Sequence, residues 1–291
     1  MNFIKYNWLF FILSGLVIIP GLISLALYGV RLSVDFTGGS LLEIKTSQPS
    51  TKSVLEEKIK TTYQYSEIQS NGQNQFIIRG PVMDGAEKQK ITTLLEQDFG
   101  TVDTLRFESI GPTLSKELVK KTLTAIAIVA IVIMTFIARQ FKEWKYGICA
   151  ILAMLHDSLV LLGSFSLLGH FFGVEVDVLF VTAVLTTLSF SVHDTIVVYH
   201  RIREVRQKQS DLSTEKVLNA AVVGTLVRSL NNSLTIILML TALYLLGGET
   251  VRWFALALLI GAITGTYSST CTAIPLLYVW EKVSVALKKR R

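Results

Sequence analysis

The segment VLFVTAVLTTLSFSVHDTIVVY, residues 178–199, decides the fold class of this chain. As an α-helix it would be about 33 Å long, enough to cross the ~30 Å hydrocarbon core of a bilayer. Asp194 is its only acidic residue, and basic residues follow directly. Five other runs are comparably apolar, although Arg228 interrupts one of them; they cover residues 8–30, 122–138, 146–168, 218–247 and 253–279. The pattern predicts a polytopic membrane protein with six transmembrane helices.

The composition supports this class. Of the 291 residues, 51% are hydrophobic and only 17% are charged, whereas a soluble protein has about 25% charged residues. The net charge of +6 comes largely from clusters at 139–145, 201–216 and 288–291. By the positive-inside rule these segments and both termini face the cytoplasm, so we expect no nucleic-acid partner. The run 8–30 is too long for a signal-peptide core and lacks a cleavage motif, which predicts an uncleaved anchor.

The stretch between the first two apolar runs is hydrophilic, and the topology places it on the outer face. Its periodicity predicts the order strand, helix, strand, strand, helix, strand, which is typical of a ferredoxin-like α+β domain. Asn71-Gly72 marks a hairpin between the second and third strands. The predicted segments are 40–46, 51–63, 65–70, 75–80, 84–100 and 101–110. We therefore expect three parts: 1–30 with helix 1, 31–121 as an extracytoplasmic domain, and 122–291 with helices 2–6.

No motif of a nucleotide or metal enzyme is present. The Walker A pattern, the dinucleotide glycine fingerprint and H-E-x-x-H are all absent, so we expect no enzymatic activity and no cofactor. His-Asp dipeptides occur at 156–157 and 193–194. Adjacent side chains on a helix point about 100° apart, so we expect neither dipeptide to hold a metal ion. The motifs of aspartyl intramembrane proteases are absent as well.

Apart from histidines, three ionisable residues stand out inside the predicted membrane helices: Asp157, Asp194 and Arg228. Such residues are costly in a bilayer and are therefore functional candidates. At 1.5 Å per residue they lie roughly 16, 8 and 12 Å from the cytoplasmic ends of their helices, so Asp194 and Arg228 can meet if those helices are neighbours. Two interpretations stay open, a fixed ion pair and a pair that separates and changes protonation. For Asp157, which has no obvious partner, a structural role and a relay role both stay open.

Polar or small residues recur at helical spacing on three successive helices. Thr187 and Ser191 share a face with Asp194 on the fourth helix. The corresponding stripe of the fifth helix consists of Gly224, Arg228, Asn231 and Thr235, and that of the sixth consists of Gly261, Gly265, Ser268 and Thr272. On the sixth helix Gly261 and Gly265 form a small-xxx-small pattern that lets helices approach closely. The stripes indicate a hydrated interior or a relay, for which Ser191 and Asn231 are candidates.

The segment VDFTGGS, residues 34–40, follows the first apolar run. Gly38 and Gly39 permit a tight turn near the membrane surface, which makes this segment a candidate hinge between the anchor and the outer domain. Asp35 is a candidate site residue of the same motif. An ordinary loop is the alternative.

Several segments in combination resemble the SecD/SecF family of the resistance-nodulation-division superfamily. VDFTGGS resembles the family's V/L-D-F-T-G-G motif, and GPTLSKEL, residues 111–118, resembles the G-P-x-x-x-x-E-L segment that enters the second helix. The third to sixth helices are similar in LAMLHDSL (152–159), FSVHDTIVVYHRIRE (190–204), LVRSLNNSLTIIL (226–238) and YLLGGETVRWFALALLIGAITGTYSS (244–269). The resemblance covers nearly the whole chain.

The resemblance implies a function and partners. Family members pair in the bacterial plasma (inner) membrane and use the proton gradient to help pull preproteins outward through the SecYEG channel after SecA has acted. It therefore implies protons, a translocating preprotein, and a separate SecD chain as the other half of the superfamily plan. The family's functional aspartate and arginine fall on Asp194 and Arg228. His193 stands where the family usually has asparagine, and it is a further candidate relay group.

Two other classes remain as alternatives: a proton-driven exporter of small molecules or lipids, and a purely structural membrane subunit. Drug exporters of the superfamily normally join two six-helix halves in one chain and carry larger outer domains. This chain has one half and a short outer segment, which favours protein export.

Overall fold

The protein is described from a computed structural model that defines residues 3–70, 72, 74–141, 143–209 and 211–289. Asn71 of the predicted hairpin, and the basic residues Lys142, Arg290 and Arg291, lie outside these ranges. Two compact units are present. The sheet unit comprises Leu32–Leu123, and the membrane unit comprises Met1–Arg31 and Thr124–Arg291.

Within the residues that the structure describes, six helical stretches are long and apolar enough to cross a membrane, which confirms the predicted number. In chain order the helices are α1 (Asn7–Tyr28), α2 (Val34–Thr37), α3 (Lys52–Ile59), α4 (Gly85–Phe99), α5 (Pro112–Phe141), α6 (Trp144–Phe172), α7 (Val178–Lys208), α8 (Thr214–Leu246), α9 (Glu249–Ser268) and α10 (Ile274–Lys289). A π-helical turn, Ser269–Ala273, joins α9 to α10, and together they form the sixth membrane helix.

The sheet unit has the predicted ferredoxin-like connectivity. Its strands are β1 (Gly39–Thr46), β2 (Glu67–Ser70), β3 (Gln75–Gly80) and β4 (Val102–Ile110). They pair in the order β2-β3-β1-β4, and every pairing is antiparallel. With α3 after β1 and α4 after β3, this is the split β-α-β arrangement that the sequence predicted. In the hairpin, Ser70 pairs with Phe76, so the connection is longer than a two-residue turn.

One face of this sheet forms the core of the unit against α3 and α4. The α4 helix begins with a capping box, in which the Asp84 carboxylate accepts from the Glu87 N–H at 2.7 Å and Glu87 accepts from the Asp84 N–H at 3.1 Å. The helix ends before Gly100, whose φ is 73°. The fully buried core side chains include Leu42, Ile44, Leu55, Ile59, Phe76, Ile78, Ile91 and Leu95.

The VDFTGGS segment forms the short helix α2 followed by a tight turn. Ser33 caps α2 by accepting from the Asp35 N–H at 3.2 Å. Gly38 and Gly39 have φ values of 74° and 108°, which is the region that favours glycine. A Cβ on Gly39 would also lie 2.6 Å from the carbonyl oxygen of Gly80. The predicted tight turn is therefore present, and its role as a hinge stays a prediction.

In the membrane unit, α1 packs against α6 at a glycine–glycine crossing. A Cβ on Gly163 would lie 2.6 Å from Cα of Gly21. One turn further along both helices, the Ser24 and Ser166 hydroxyls are 2.7 Å apart. Ser166 also donates to the carbonyl of Gly29 at 2.6 Å. Because no side chain separates the two backbones, the helices approach closely and their serines can meet.

An ion cluster joins the start of α6 to the end of α7 and to α10. Glu281 accepts from Arg206 at 2.6 Å and lies 3.0 Å from Nζ of Lys145. Beside it, the rings of Tyr146 and Tyr199 meet edge to face with centroids 5.0 Å apart. These contacts fix the three helices at one end of the bundle.

Candidate functional site

Asp194 lies on the buried face of α7, with Thr187 and Ser191 at the predicted spacing on the same face. Its side chain is only 3% exposed, and its Oδ2 atom has no hydrogen-bond partner. On the neighbouring helix α8, the Ser233 hydroxyl is also buried without a partner, and the buried Ser229 hydroxyl lies next to the Asp194 carboxylate. A buried carboxylate with one oxygen unpartnered is costly when it is ionised, so a bound proton or a nearby cation would stabilise this site.

Arg228 borders a cleft of about 570 Å³ that is lined by residues of α7 and α8, among them His200, Glu204 and Thr225. It is near enough to attract Asp194 electrostatically. No ion pair joins Asp194 to Arg228, both of which the structure describes. Helices α7 and α8 are neighbours, so the two residues can meet, but a fixed ion pair between Asp194 and Arg228 is not formed in this structure.

The polar residues on the face of α8 that packs inside the bundle are not the predicted ones. Arg228, Asn231 and Thr235 lie on its exposed face. The buried face carries Ser229 and Ser233 instead, one turn apart. Both sets of residues have helical spacing. Spacing alone cannot distinguish a helix face that packs inside the same chain from a face that packs against another chain. The relay role of Asn231 stays a prediction.

Asp157 on α6 has more hydrogen-bond partners than the sequence analysis gave it. Its side chain is 0% exposed. Ser191 of α7 and Ser268 of α9 donate to Oδ2 at 2.5 and 2.7 Å, and Nδ1 of His156 lies 2.9 Å from Oδ1. The sequence held a signal for this contact, because Ser191 and Ser268 belong to polar positions of helices whose depths overlap that of Asp157. Three helices therefore converge on one carboxylate.

The hydrogen bonds continue from this carboxylate to the other side of the bundle. Nε2 of His156 lies 2.6 Å from the Tyr267 hydroxyl. That hydroxyl lies 3.4 Å from the Ser14 hydroxyl, which is 3.4 Å from the Thr272 hydroxyl in the π-helical turn. His156 is 6% exposed, so the imidazole is enclosed as well. The chain of polar groups thus links α6 to α9, α1 and the π-helical turn.

The predicted close approach of the sixth helix is confirmed at both glycines. A Cβ on Gly261 would lie 2.9 Å from Cβ of Thr187, and a Cβ on Gly265 would lie 3.2 Å from Cα of Ser191. Helix α9 therefore lies directly on the face of α7 that carries Ser191. Because of this close packing, Ser268, one turn after Gly265 on α9, reaches the Asp157 carboxylate.

His193 lies on the exposed side of α7, away from the buried stripe, although it is next to Asp194 in the sequence. Its relay role stays a prediction. Within the described ranges, no group of three His, Cys, Asp or Glu side chains is arranged to hold a metal ion. The candidate site therefore consists of Asp194 with Arg228 nearby, and of the Asp157 cluster.

The fold and these buried carboxylates define a class: a multi-pass membrane protein with a split β-α-β unit between its first and second membrane helices. Residues 90–283 match the family described as protein export membrane protein SecD/SecF, C-terminal. Residues 23–50, which include VDFTGGS, match the SecD/SecF GG motif. The chain belongs to the SecD/SecF family of protein export membrane proteins.

Curated relatives and solved structures agree with this family. The chain is 42% identical to protein translocase subunit SecF of Thermobaculum terrenum, over 97% of this chain and 94% of that protein. It is 31% identical to protein translocase subunit SecDF of Bacillus subtilis, over 94% of this chain but 37% of that protein. The crystal structure of SecDF from Thermus thermophilus, a translocon-associated membrane protein, has a TM-score of 0.85 and 27% identity, and covers 97% of this chain. This chain spans 39% of that SecDF chain.

Proposed function

We propose that this chain is a SecF-like subunit of a SecD–SecF accessory complex that uses the proton gradient to assist preprotein export through the SecYEG channel after SecA has acted. It catalyses no reaction of its own in this role. The observation that carries the proton-coupled part is the Asp194 carboxylate, which is buried in a membrane helix without a hydrogen-bond partner on Oδ2 and with Arg228 nearby but not bound.

A carboxylate in this position has two ways to avoid a lone buried charge. It can bind a proton, or it can form an ion pair with Arg228, and each option suits a different arrangement of α7 and α8. Protonation and helix arrangement are therefore coupled. A proton that crosses a membrane potential of 100 mV releases about 2.3 kcal/mol, which shifts a two-state equilibrium by roughly fiftyfold.

The exposed face of α8 supports SecD as the partner. Arg228 and Asn231 lie there among apolar side chains such as Val227, Leu230 and Leu234, which are more than half exposed. An arginine that faces lipid at this depth costs about 2.5–3.5 kcal/mol. We therefore infer that another membrane helix covers this face. The relatives named SecDF, of which this chain spans about two fifths, support SecD as the source of that helix.

Photo-cross-linking tests this interface. A photoreactive amino acid at Asn231 of α8 should cross-link to SecD in native membranes. The matched position is Ile131, an exposed residue of α5, where the same group should react mainly with lipid. Cross-links to SecD that are equally strong from both positions, or that form only from Ile131, would contradict the assignment of this face.

We propose that both termini and the basic segments face the cytoplasm and that the sheet unit faces outward across the plasma membrane. Reporter fusions at Gly72 should give an outside signal, and fusions at Gln209 and Arg291 an inside signal. The basis is the distribution of Lys and Arg between the apolar runs. An outside signal at Gln209 would overturn this orientation.

The function is tested with Asp194→Asn. Asparagine nearly matches aspartate in size but cannot bind and release a proton, so gradient-dependent stimulation of preprotein translocation into membrane vesicles should be lost. The matched control is Asp103→Asn, the same change at an exposed position of β4 in the sheet unit. Arg228→Lys should be milder than Arg228→Ala, because lysine keeps the charge and loses only the planar donor group.

The yield of the intact complex separates the remaining outcomes. If Asp194→Asn vesicles contain assembled complex and keep a normal response to the gradient, proton coupling at Asp194 is wrong. If the complex fails to assemble, Asp194 has the structural role of the fixed ion pair, because its loss leaves Arg228 uncompensated.

A further inference from the structure

We propose that the His156–Asp157 pair of α6, together with the hydroxyl groups that hold it, is a second proton-binding site in the membrane unit. It is separate from Asp194 and Arg228. Its ligand is one proton, bound by the pair as a whole. The proposal deepens the proposed function, on which its relevance to export rests, whereas the site itself rests on the hydrogen-bond geometry around Asp157.

The burial and charge of the pair give the physical reason. With an ionised carboxylate and a neutral imidazole, the pair carries one negative charge inside a bundle of membrane helices. The Ser191 and Ser268 hydroxyls stabilise that charge in part. A net charge at this depth stays costly. One added proton makes the pair neutral overall, either as imidazolium and carboxylate or as imidazole and carboxylic acid.

The surrounding helices supply few other charges. Tyr267 of α9 faces the pair, and Cys271 of the π-helical turn lies near Tyr267. Helix α7 contributes Ser191 and, one turn further, Asp194. The described part of α1, Asn7–Tyr28, contains no charged side chain. On α10, Glu281 is already bound by basic side chains at the start of α6 and the end of α7. Within the described part of the chain, no lysine or arginine is bound to Asp157.

Proton binding would reverse the hydrogen bonds along the polar chain. An ionised carboxylate only accepts, so Nδ1–H of a neutral His156 donates to Asp157 and Nε2 accepts from the Tyr267 hydroxyl. When Nε2 gains the proton it must donate to the Tyr267 oxygen, and that hydroxyl is then free to donate to Ser14, 3.4 Å away. Protonation of the His156–Asp157 pair would therefore change the hydrogen bonding of Ser14 on α1.

The two residues of α9 that contact the pair stand directly before the π-helical turn. Tyr267 binds His156 and Ser268 binds Asp157, and the turn Ser269–Ala273 follows at once. Single π-helical turns inside α-helices occur frequently at functional sites and are places where helices kink. Proton binding therefore acts on the sixth helix directly beside its π-helical turn.

Solid-state NMR of the protein in lipid vesicles tests the site. With isotope-labelled histidine and aspartate, the His156 ring nitrogens and the Asp157 carboxyl carbon each report protonation. As the pH is lowered, one of the two groups should gain a proton while the protein stays folded. The variants His156→Gln and Asp157→Asn assign the signals. If neither group changes protonation while the protein is folded, the proposal is wrong.

Two further variants separate this site from the rest of the protein. Tyr267→Phe should weaken proton binding by the pair about tenfold, because a hydrogen bond to a charged group is lost. Tyr278→Phe on α10, the matched change, should leave it unaltered. In Asp194→Asn the titration of the pair should persist; its disappearance would assign the titration to Asp194. If the His156–Asp157 pair still titrates in Asp194→Asn, and vesicles with this variant respond normally to the gradient, the second proton-binding site is supported. The same result would contradict the proposed function, which places proton coupling at Asp194.

Discussion

Replacing Gly163 by alanine should separate α1 from α6 and destabilise the membrane unit. The new Cβ would lie 2.6 Å from Cα of Gly21, whereas carbon atoms in contact prefer about 3.5–4.0 Å. The obstacle is backbone, which cannot rotate aside as a side chain can. The helices must therefore move apart by about 1 Å at this point.

The structure gives the size of the effect. Overpacking of this kind costs about 1–3 kcal/mol. A shift of about 1 Å would also lengthen the 2.7 Å contact between Ser24 and Ser166 beyond hydrogen-bond range, at about 1 kcal/mol. The total is about 2–4 kcal/mol, or roughly 30- to 1,000-fold in the folding equilibrium.

The assay is unfolding of the purified protein in mixed micelles with a rising fraction of dodecyl sulfate, followed by tryptophan fluorescence. Gly147→Ala is the matched control, because it lies on the same helix and its new Cβ would have no neighbour closer than 3.9 Å, at Ala138. Any gain in helix propensity is common to both variants and cancels in the comparison. Equal stability of Gly163→Ala and Gly147→Ala would refute the close crossing of α1 and α6.

Three further predictions concern the sheet unit. Residues 36–110 expressed alone should fold, because their core is closed by their own helices; a random-coil circular dichroism spectrum without detergent would contradict this. Asp84→Ala should lower the free energy of unfolding of that fragment by about 1 kcal/mol in urea, through loss of the cap on α4. Burial, with the Glu87 charge in second place, raises the pKa of Tyr63 to about 12. The contribution of Tyr63 to the free energy of unfolding should therefore be fully present below pH ~10 and be lost as the pH rises toward ~12, and Tyr63→Phe should flatten the decline in that interval.

The fold was predictable because its signals are local. Six apolar runs require six helices, since a bilayer leaves backbone groups no other partner. In the sheet unit, the cap at Asp84 and the glycine at Gly100 bound α4 where the sequence placed it. The close approach at Gly261 and Gly265 also followed from spacing alone, because small residues four apart share one helix face.

The partners of Asp157 were not predictable in the same way. Its contacts to Ser191 and Ser268 depend on the rotation and depth of three helices relative to one another, and hydropathy determines neither within one turn. The contact between His156 and Asp157 was not predicted either. The angle of about 100° between adjacent side chains argues against a shared metal ion, but it leaves room for a hydrogen bond between the imidazole and the neighbouring carboxylate.

The inward face of α8 was not predictable either, for a different reason. A stripe with Arg228 and Asn231 has the helical spacing expected of an interior face, yet this chain buries Ser229 and Ser233. A polar stripe with helical spacing can occur on a helix face that packs inside the chain and equally on a face that packs against a partner chain. The exposed stripe of α8 with Arg228 fits the proposal that a partner helix covers this face.

Helix α7 carries Asp194 and also Ser191, the hydrogen-bond donor to Asp157, so a movement of α7 affects both buried carboxylates. Ser191 donates to Asp157 at 2.5 Å, and Asp194 stands one turn away on the same face of α7. If α7 slides so that Asp194 approaches Arg228, Ser191 must move relative to α6, and a shift of about 1 Å is enough to break its hydrogen bond to Asp157. The glycines Gly261 and Gly265 leave α7 and α9 in contact without long side chains between them, which suits such a sliding motion. Loss of that donor would make the ionised form of Asp157 more costly, so formation of the Asp194–Arg228 pair would favour proton uptake at the His156–Asp157 pair.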